Sequence, residues 1–341
     1  MARNLGAEAF PDFTPVNLIT GFLGSGKTTL LARLLQQPAL KGAAVLINEF
    51  GEVGLDHHLL EVVDDNIVLL QSGCLCCTIR GDLAAAMRSL HSKRERGEVP
   101  PFDRLLVEST GLADPYPILS TLRADPVLVH HFRCGNVIVT VDAVNGLTQL
   151  AKHGESVRQA AAADRLVITK SDLCEETVTA EVRARLRALN PFAPIFTEPE
   201  RVDAGDLGLS GKDEGGIGKV LEPEADTHDH ASHHDDKIRS FVVTMEKPID
   251  WTAFGVWLTM LLNRHGEKVL RVKGILNLAG EKRPVAVHGV QRLVHPPVHM
   301  KRWPDADRRS KIVFIVQDLD PALIRRSLAA FNRIAMSDAL S

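Results

Sequence analysis

The 341-residue chain has no apolar run long enough to cross a bilayer. Its longest, FGVWLTMLL at 254–262, is far shorter than a spanning helix requires. The first residues, MARNLGAEAFPDFTPVN, lack the continuous apolar stretch of a secretory signal. There is no strong excess of either charge: a formal net charge of −3 leaves no electrostatic footprint for nucleic acid or an anionic membrane. A disulfide framework is excluded too, because the five cysteines are odd in number and three of them crowd into residues 74–77. No internal repeat is evident. These absences point to a cytosolic protein with reduced thiols and with neither nucleic acid nor membrane as partner. Its composition is otherwise ordinary, 45% hydrophobic and 24% charged, and its length suggests two domains with a substantial core.

What is present has a clear order. PVNLIT (15–20), AAVLIN (43–48), RLLVES (104–109), GNVIVTVDA (135–143) and DRLVITK (164–170) are rich in Val, Ile and Leu without polar alternation. Strands covered on both faces read that way. Helical patterns such as TTLLARLLQQ (28–37) and GDLAAAMRSLHSKRER (81–96) lie between them. The expectation is a doubly wound α/β domain with a mostly parallel sheet. Residues 198–236 then hold twelve Asp or Glu against three Lys or Arg, with six Gly, too acidic and too poor in apolar residues for a core. Order resumes with strand patterns at 238–245, 268–280, 283–294 and 310–317 and helical ones at 250–266 and 320–334. This predicts a smaller α+β domain on a mostly antiparallel sheet. The division is therefore 14–197, an acidic flexible linker at 198–237, and 238–341.

GFLGSGKTT at 21–29 fits the phosphate-binding pattern G-x-x-x-x-G-K-[ST], follows a strand and opens a helix. Gly21, Gly24 and Gly26, with Ser25, would let the backbone wrap closely around phosphates at a helix start. Lys27 would reach the β and γ phosphates, Thr28 would ligate Mg²⁺, and Thr29 continues the cradle. RLLVESTGLADP (104–115) is a strand ending in Glu108, placed to face Mg²⁺ or the attacking water, followed by Gly111, whose N–H would sense the γ-phosphate. In VITKSDL (167–173), Asp172 would accept two hydrogen bonds from a guanine edge while the Lys170 stem packs over the base. That pattern favours GTP over ATP. Thr169 stands where the usual motif has Asn, and its hydroxyl replaces only part of the Asn hydrogen bonding.

This series, together with NEFGEVGLD (48–56), GCLCC (73–77), ESTGLADP (108–115), TKSD (169–172) and C-terminal stretches such as VLRVKGILNLAG, resembles the CobW family of metal-associated P-loop GTPases over the full length. The resemblance implies a P-loop NTPase fold with a CobW-type C-terminal domain, GTP hydrolysis, and Glu49 and Glu52 on Mg²⁺ or on a transferred metal. It also implies a metalloprotein client. A nucleotide-dependent homodimer fits this class of P-loop protein.

Cys74, Cys76 and Cys77 supply soft thiolates suited to Zn²⁺ and other late first-row metals. On a regular strand Cys74 and Cys76 share a face and Cys77 points away, so either a turn gathers all three or two cysteines act with another ligand. Cys74 and Cys77 also have dithiol spacing, but a thioredoxin-like context is lacking. His228, His230, His233 and His234 in HDHASHHDD form a candidate accessory metal site; a solvated linker is the equal alternative. His57, His58, Cys134 and Cys174 are read as surface or core residues. The combined expectation is a slow GTPase that loads zinc on Cys-x-Cys-Cys and releases it to a client on hydrolysis. The alternatives are delivery of Co²⁺ or iron, for cobalamin synthesis or nitrile hydratase maturation, and a metal buffer or sensor with vestigial GTPase activity.

Overall fold

The computed structural model describes residues 13–47, 68–71, 79–210 and 238–338. In the first domain β1 (Thr14–Gly21) is followed by α1 (Lys27–Leu35), β2 (Ala43–Ile47), β3 (Val68–Gln71), α2 (Ile79–Glu95) and β4 (Arg104–Glu108). Next come α3 (Pro115–Ala124), the short α4 (Leu128–His131), β5 (Phe132–Asp142), α5 (Gly146–Lys152) and α6 (Gly154–Ala162). The domain continues with β6 (Arg165–Thr169), α7 (Glu176–Leu189) and β7 (Ile195–Phe196). The strands form one seven-stranded sheet in the order β3-β2-β4-β1-β5-β6-β7, and its ladders are parallel. The five Val/Ile/Leu runs noted above are its five central strands.

Strand periodicity explains why those runs show no polar alternation. Leu18, Leu105, Val107 and Val139 pack on one face against α2, α3, α6 and α7. Their chain neighbours Ile19, Leu106 and Ile138 pack on the other face against α1. Both faces are covered, so both sets must be apolar.

The acidic segment departs from expectation at its start. Residues 198–210 are not linker: Val202, Ala204, Leu207 and Leu209 are buried in the same cluster as α1. Polar contacts fix this backbone in place. Gln37 Oε1 accepts from Ala204 N at 2.8 Å, Asn136 Nδ2 donates to Gly208 O at 3.0 Å, and Arg104 donates to Leu209 O. The physical reason is coverage. The α1 face of the sheet would be bare beside that helix, and four apolar side chains complete it. Residues 211–237, with the histidine cluster, lie outside the described residues.

The second domain comprises β8 (Ile238–Met245), α8 (Trp251–His265), β9 (Val269–Leu276), β10 (Val285–Val290), β11 (Leu293–Val294), β12 (Val298–His299), β13 (Ser310–Gln317) and α9 (Pro321–Asp338). Its antiparallel sheet runs β11-β10-β9-β13-β8, with β12 paired to β10. Along β13, Ile312, Phe314 and Val316 pack on α8 and α9. Val313 and Ile315 point to the opposite face, where Phe192 and Ala161 of the first domain meet them. The second sheet is thus sandwiched between its own helices and the first domain.

Candidate functional site

The loop between β1 and α1 has the conformation its glycines predict. Gly24 and Gly26 take positive φ, 71° and 82°, which side-chain-bearing residues rarely adopt. A Cβ on Gly21 would lie 2.4 Å from the Thr140 carbonyl oxygen and 2.6 Å from Ser25 Oγ, so only glycine fits there. Ser25 is fully buried, and its hydroxyl shares a 2.7 Å hydrogen bond with Thr140 Oγ1. Lys27 folds back over the loop, its Nζ donating to Phe22 O at 3.3 Å. Gly24 and Thr29 are exposed.

At the carboxyl ends of β1 and β4, Thr28 Oγ1 donates to Glu108 Oε1 at 2.6 Å. Glu108 is the last residue of β4 and pairs with Ile19 and Ile47 on either side, so its placement follows from sheet register. Two hard oxygen donors converging at a phosphate loop fit Mg²⁺. Gly111 packs against the loop: a Cβ there would meet Leu23 N at 2.6 Å. Its carbonyl accepts from Gln159 Nε2 at 3.1 Å, and the same amide donates to Ala113 O at 3.0 Å.

The TKSD stretch joins the site through its first residue. Thr169 Oγ1 donates to Ser25 O at 2.8 Å, so the hydroxyl bridges the end of β6 to the loop between β1 and α1. Lys170 has φ 58°, and its Nζ donates to Asp142 Oδ2 at 2.8 Å. Burial favours the neutral acid at Asp142. Hydrogen bonds from Lys170, Asn145 and the Val144 N–H outweigh it and hold the carboxyl below the usual range. Asp172 is exposed in a single turn, Ser171–Leu173.

Lys27, Thr28, Glu108, Gly111 and Thr169 therefore converge, with Lys170 and Asp172 at the adjoining strand end. Cys74, Cys76, Cys77, Glu49, Glu52, His57, His58, His228, His230, His233 and His234 lie outside the described residues. Among the described residues no group of three or more His, Cys, Asp or Glu is arranged to hold a metal ion. Cys134 and Cys174 are half-buried free thiols; burial pushes Cys134 up to about 12, which makes it inert.

Thr140, Asp142, Gln159 and Asp114 were not singled out as site residues from the sequence. Asp114 caps α3 by accepting from Tyr116 N at 3.0 Å and also accepts from Gln291 Nε2 of the second domain at 3.3 Å. For Asp114 the local signal was present, an Asp-Pro at a helix start. Thr140 and Asp142 depend on which strands become neighbours, and Gln159 on the packing of α6 beside the Gly111 loop.

Comparisons with known proteins cover both domains. The family model described as CobW/HypB/UreG, nucleotide-binding domain, matches residues 15–197. The cobalamin synthesis protein cobW C-terminal domain matches 238–332. The chain is 35% identical over 322 residues to the zinc chaperone YjiA of Escherichia coli, covering 93% of this chain and 98% of that one. It is 31% identical over 355 residues to the zinc chaperone CobW of Pseudomonas aeruginosa, covering 92% and 90%. The crystal structure of the Zn(II)-bound YjiA GTPase from E. coli superposes with a TM-score of 0.72 at 30% identity, over 94% of this chain and 99% of that one. With a glycine cradle, a Thr–Glu pair at its mouth and both domains matched, the chain belongs to the CobW/HypB/UreG family and carries the CobW-type C-terminal domain.

Proposed function

We propose that this protein is a GTP-hydrolysing metallochaperone that carries zinc on Cys74, Cys76 and Cys77 and surrenders it to a client metalloprotein when GTP is hydrolysed. The 2.6 Å hydrogen bond from Thr28 to Glu108 carries the hydrolytic half of this reading. It joins the phosphate loop to the strand after which Gly111 packs against Leu23 of that same loop. Relatives named zinc chaperones along nearly the whole chain support the metal half.

In this reading the Gly21–Gly26 backbone and Lys27 bind the phosphates and hold them in line. Thr28 and Glu108 would hold a Mg²⁺ ion, which would supply charge neutralisation for the phosphates. Glu108 orients the attacking water, and Gly111 donates its N–H to the γ-phosphate. Loss of that phosphate removes the Gly111 contact and frees the 108–114 loop. In sequence the thiolates lie between residues 48–58 and residues 108–115. Metal affinity and nucleotide state are then reciprocally coupled.

The test is a competitive titration of Zn²⁺ and Co²⁺ into the reduced protein, with Mg²⁺ and either a non-hydrolysable GTP analogue or GDP. It is repeated with Cys74, Cys76 and Cys77 changed to Ser, alongside a GTP hydrolysis assay. One-to-one zinc binding that needs the thiols and the GTP analogue is expected. Tighter cobalt or iron binding would reassign the cargo. Equal zinc affinity in both nucleotide states would reduce the protein to a metal buffer.

A further inference from the structure

Asp142 ends β5 directly opposite Thr169 in the parallel ladder to β6, and only 1% of it is exposed. Its two oxygens have separate duties. Oδ1 accepts from Val144 N at 2.8 Å and Asn145 N at 3.3 Å, which holds the turn into α5. Oδ2 accepts from Asn145 Nδ2 at 3.1 Å and from Lys170 Nζ at 2.8 Å. Lys170, by contrast, is about a third exposed, 35% against 2% for its partner's side chain. A long, partly exposed lysine is thereby tied at its tip to a carboxylate that is itself immobilised.

The Lys170 backbone is fixed as well. Its φ of 58° is unusual for a side-chain-bearing residue and must be held by its surroundings. Leu173 N donates to its carbonyl at 3.1 Å, and the preceding residue is bonded to the phosphate loop. Both ends of this side chain are therefore set before any ligand arrives. Asp172 is exposed two residues further along the chain. An untethered lysine would lose most of its rotamer freedom on packing against a flat ligand. A tethered one has already lost it on folding, which is preorganisation.

We infer that Asp142 is a positioning residue for nucleotide binding: through Lys170 it builds a rigid platform for the face of any purine, leaving Asp172 to distinguish one purine edge from another. The inference rests on the proposed nucleotide site and assigns a role within it. The platform touches the ring face, which guanine and hypoxanthine share. Its loss should therefore weaken both alike and leave phosphate binding untouched.

The experiment compares Mg²⁺-dependent binding of GDP, IDP and inorganic tripolyphosphate by calorimetry in the full chain. The variants are Asp142→Asn, Lys170→Met, the double variant and Asp172→Asn. Asparagine keeps an oxygen for the Val144 and Asn145 N–H groups, so the turn into α5 survives. Asp142→Asn should weaken GDP and IDP by the same factor, about tenfold, as for loss of a charged hydrogen bond, with tripolyphosphate unchanged. Asp172→Asn should instead erase the preference for GDP over IDP. In the Lys170→Met background Asp142→Asn should have no further effect, because the two act as one unit.

Unchanged GDP affinity in Asp142→Asn overturns the inference. So does a parallel fall in tripolyphosphate binding, which would make Asp142 merely structural, or an undiminished effect without Lys170. If the wild-type protein prefers ADP to GDP, the guanine reading fails instead. The platform is then read from ADP against tripolyphosphate by the same criteria.

Discussion

Arg271, on β9 of the second domain, donates to Asp164, just before β6 of the first, and this pair is the electrostatic centre of the domain interface. Lys273 Nζ reaches the same oxygen at 3.4 Å, and Val137 N donates to the other at 3.0 Å. Arg271 also donates to Ala162 O at the end of α6, the helix whose Gln159 holds the Gly111 carbonyl. Burial opposes ionisation of Asp164, but Arg271 and Lys273 outweigh it and hold the carboxyl far below its ordinary range.

Removing that carboxylate leaves two buried cations facing each other. Asp164→Asn should therefore destabilise the protein by about 3–5 kcal/mol, the usual cost of breaking a buried pair from one side. Urea denaturation followed by tryptophan fluorescence measures this. A depressed carboxyl contributes its stability in full above its unfolded pKa of about 4 and loses it as the pH falls further. The difference between wild type and variant should accordingly shrink on acidification below that value.

Lys273 gives the opposite limb. Burial lowers it to about 8, with Asp164 opposing and Arg271 and Arg165 adding to the fall; His288 and His295 face the same cluster. Between pH 8 and the unfolded value of about 10.4 the unfolded chain holds a proton that the folded chain has released. Stability must therefore rise with pH across that window. Denaturation midpoints measured at pH 8, 9 and 10 should show this rise in the wild type, and it should be absent in Lys273→Met.

Glu108→Gln keeps the shape of the side chain and removes its charge. In the proposed reaction it should lower the rate of GTP hydrolysis about 10²-fold or more and weaken the Mg²⁺ dependence of GDP binding. Thr28→Ala should lose the Mg²⁺ dependence of binding as well. Single-turnover hydrolysis with and without Mg²⁺ separates the two effects.

Leu207 is fully buried on the α1 face, in a stretch whose composition reads as linker. Leu207→Ala should cost about 2–5 kcal/mol, as for a core leucine, when measured by denaturant titration. A true linker position would show a change within experimental error.

The chemistry of the phosphate loop was legible because it is local. Gly21, Gly24, Gly26, Lys27 and Thr28 fall within eight residues, and a close approach at Gly21 and positive φ at Gly24 and Gly26 call for glycine there. The paired strands were legible because burial on both faces imposes a composition. The packed segment at 198–210 was not. Averaging over a long acidic stretch hides four apolar residues, and their partners on α1 and the sheet lie far earlier in the chain.

From the sequence alone came the two domains, the order of the phosphate loop, Glu108, Gly111 and TKSD, and the residue types of a nucleotide site. Only the tertiary structure decided that Thr169 bonds to the phosphate loop, that Asp142 holds Lys170, and that Asp164 lies beneath Arg271 and Lys273. Each of these contacts joins residues brought together by parallel strand crossovers or by docking of the second sheet. Strand order and register set such neighbours, and neither is written in local composition.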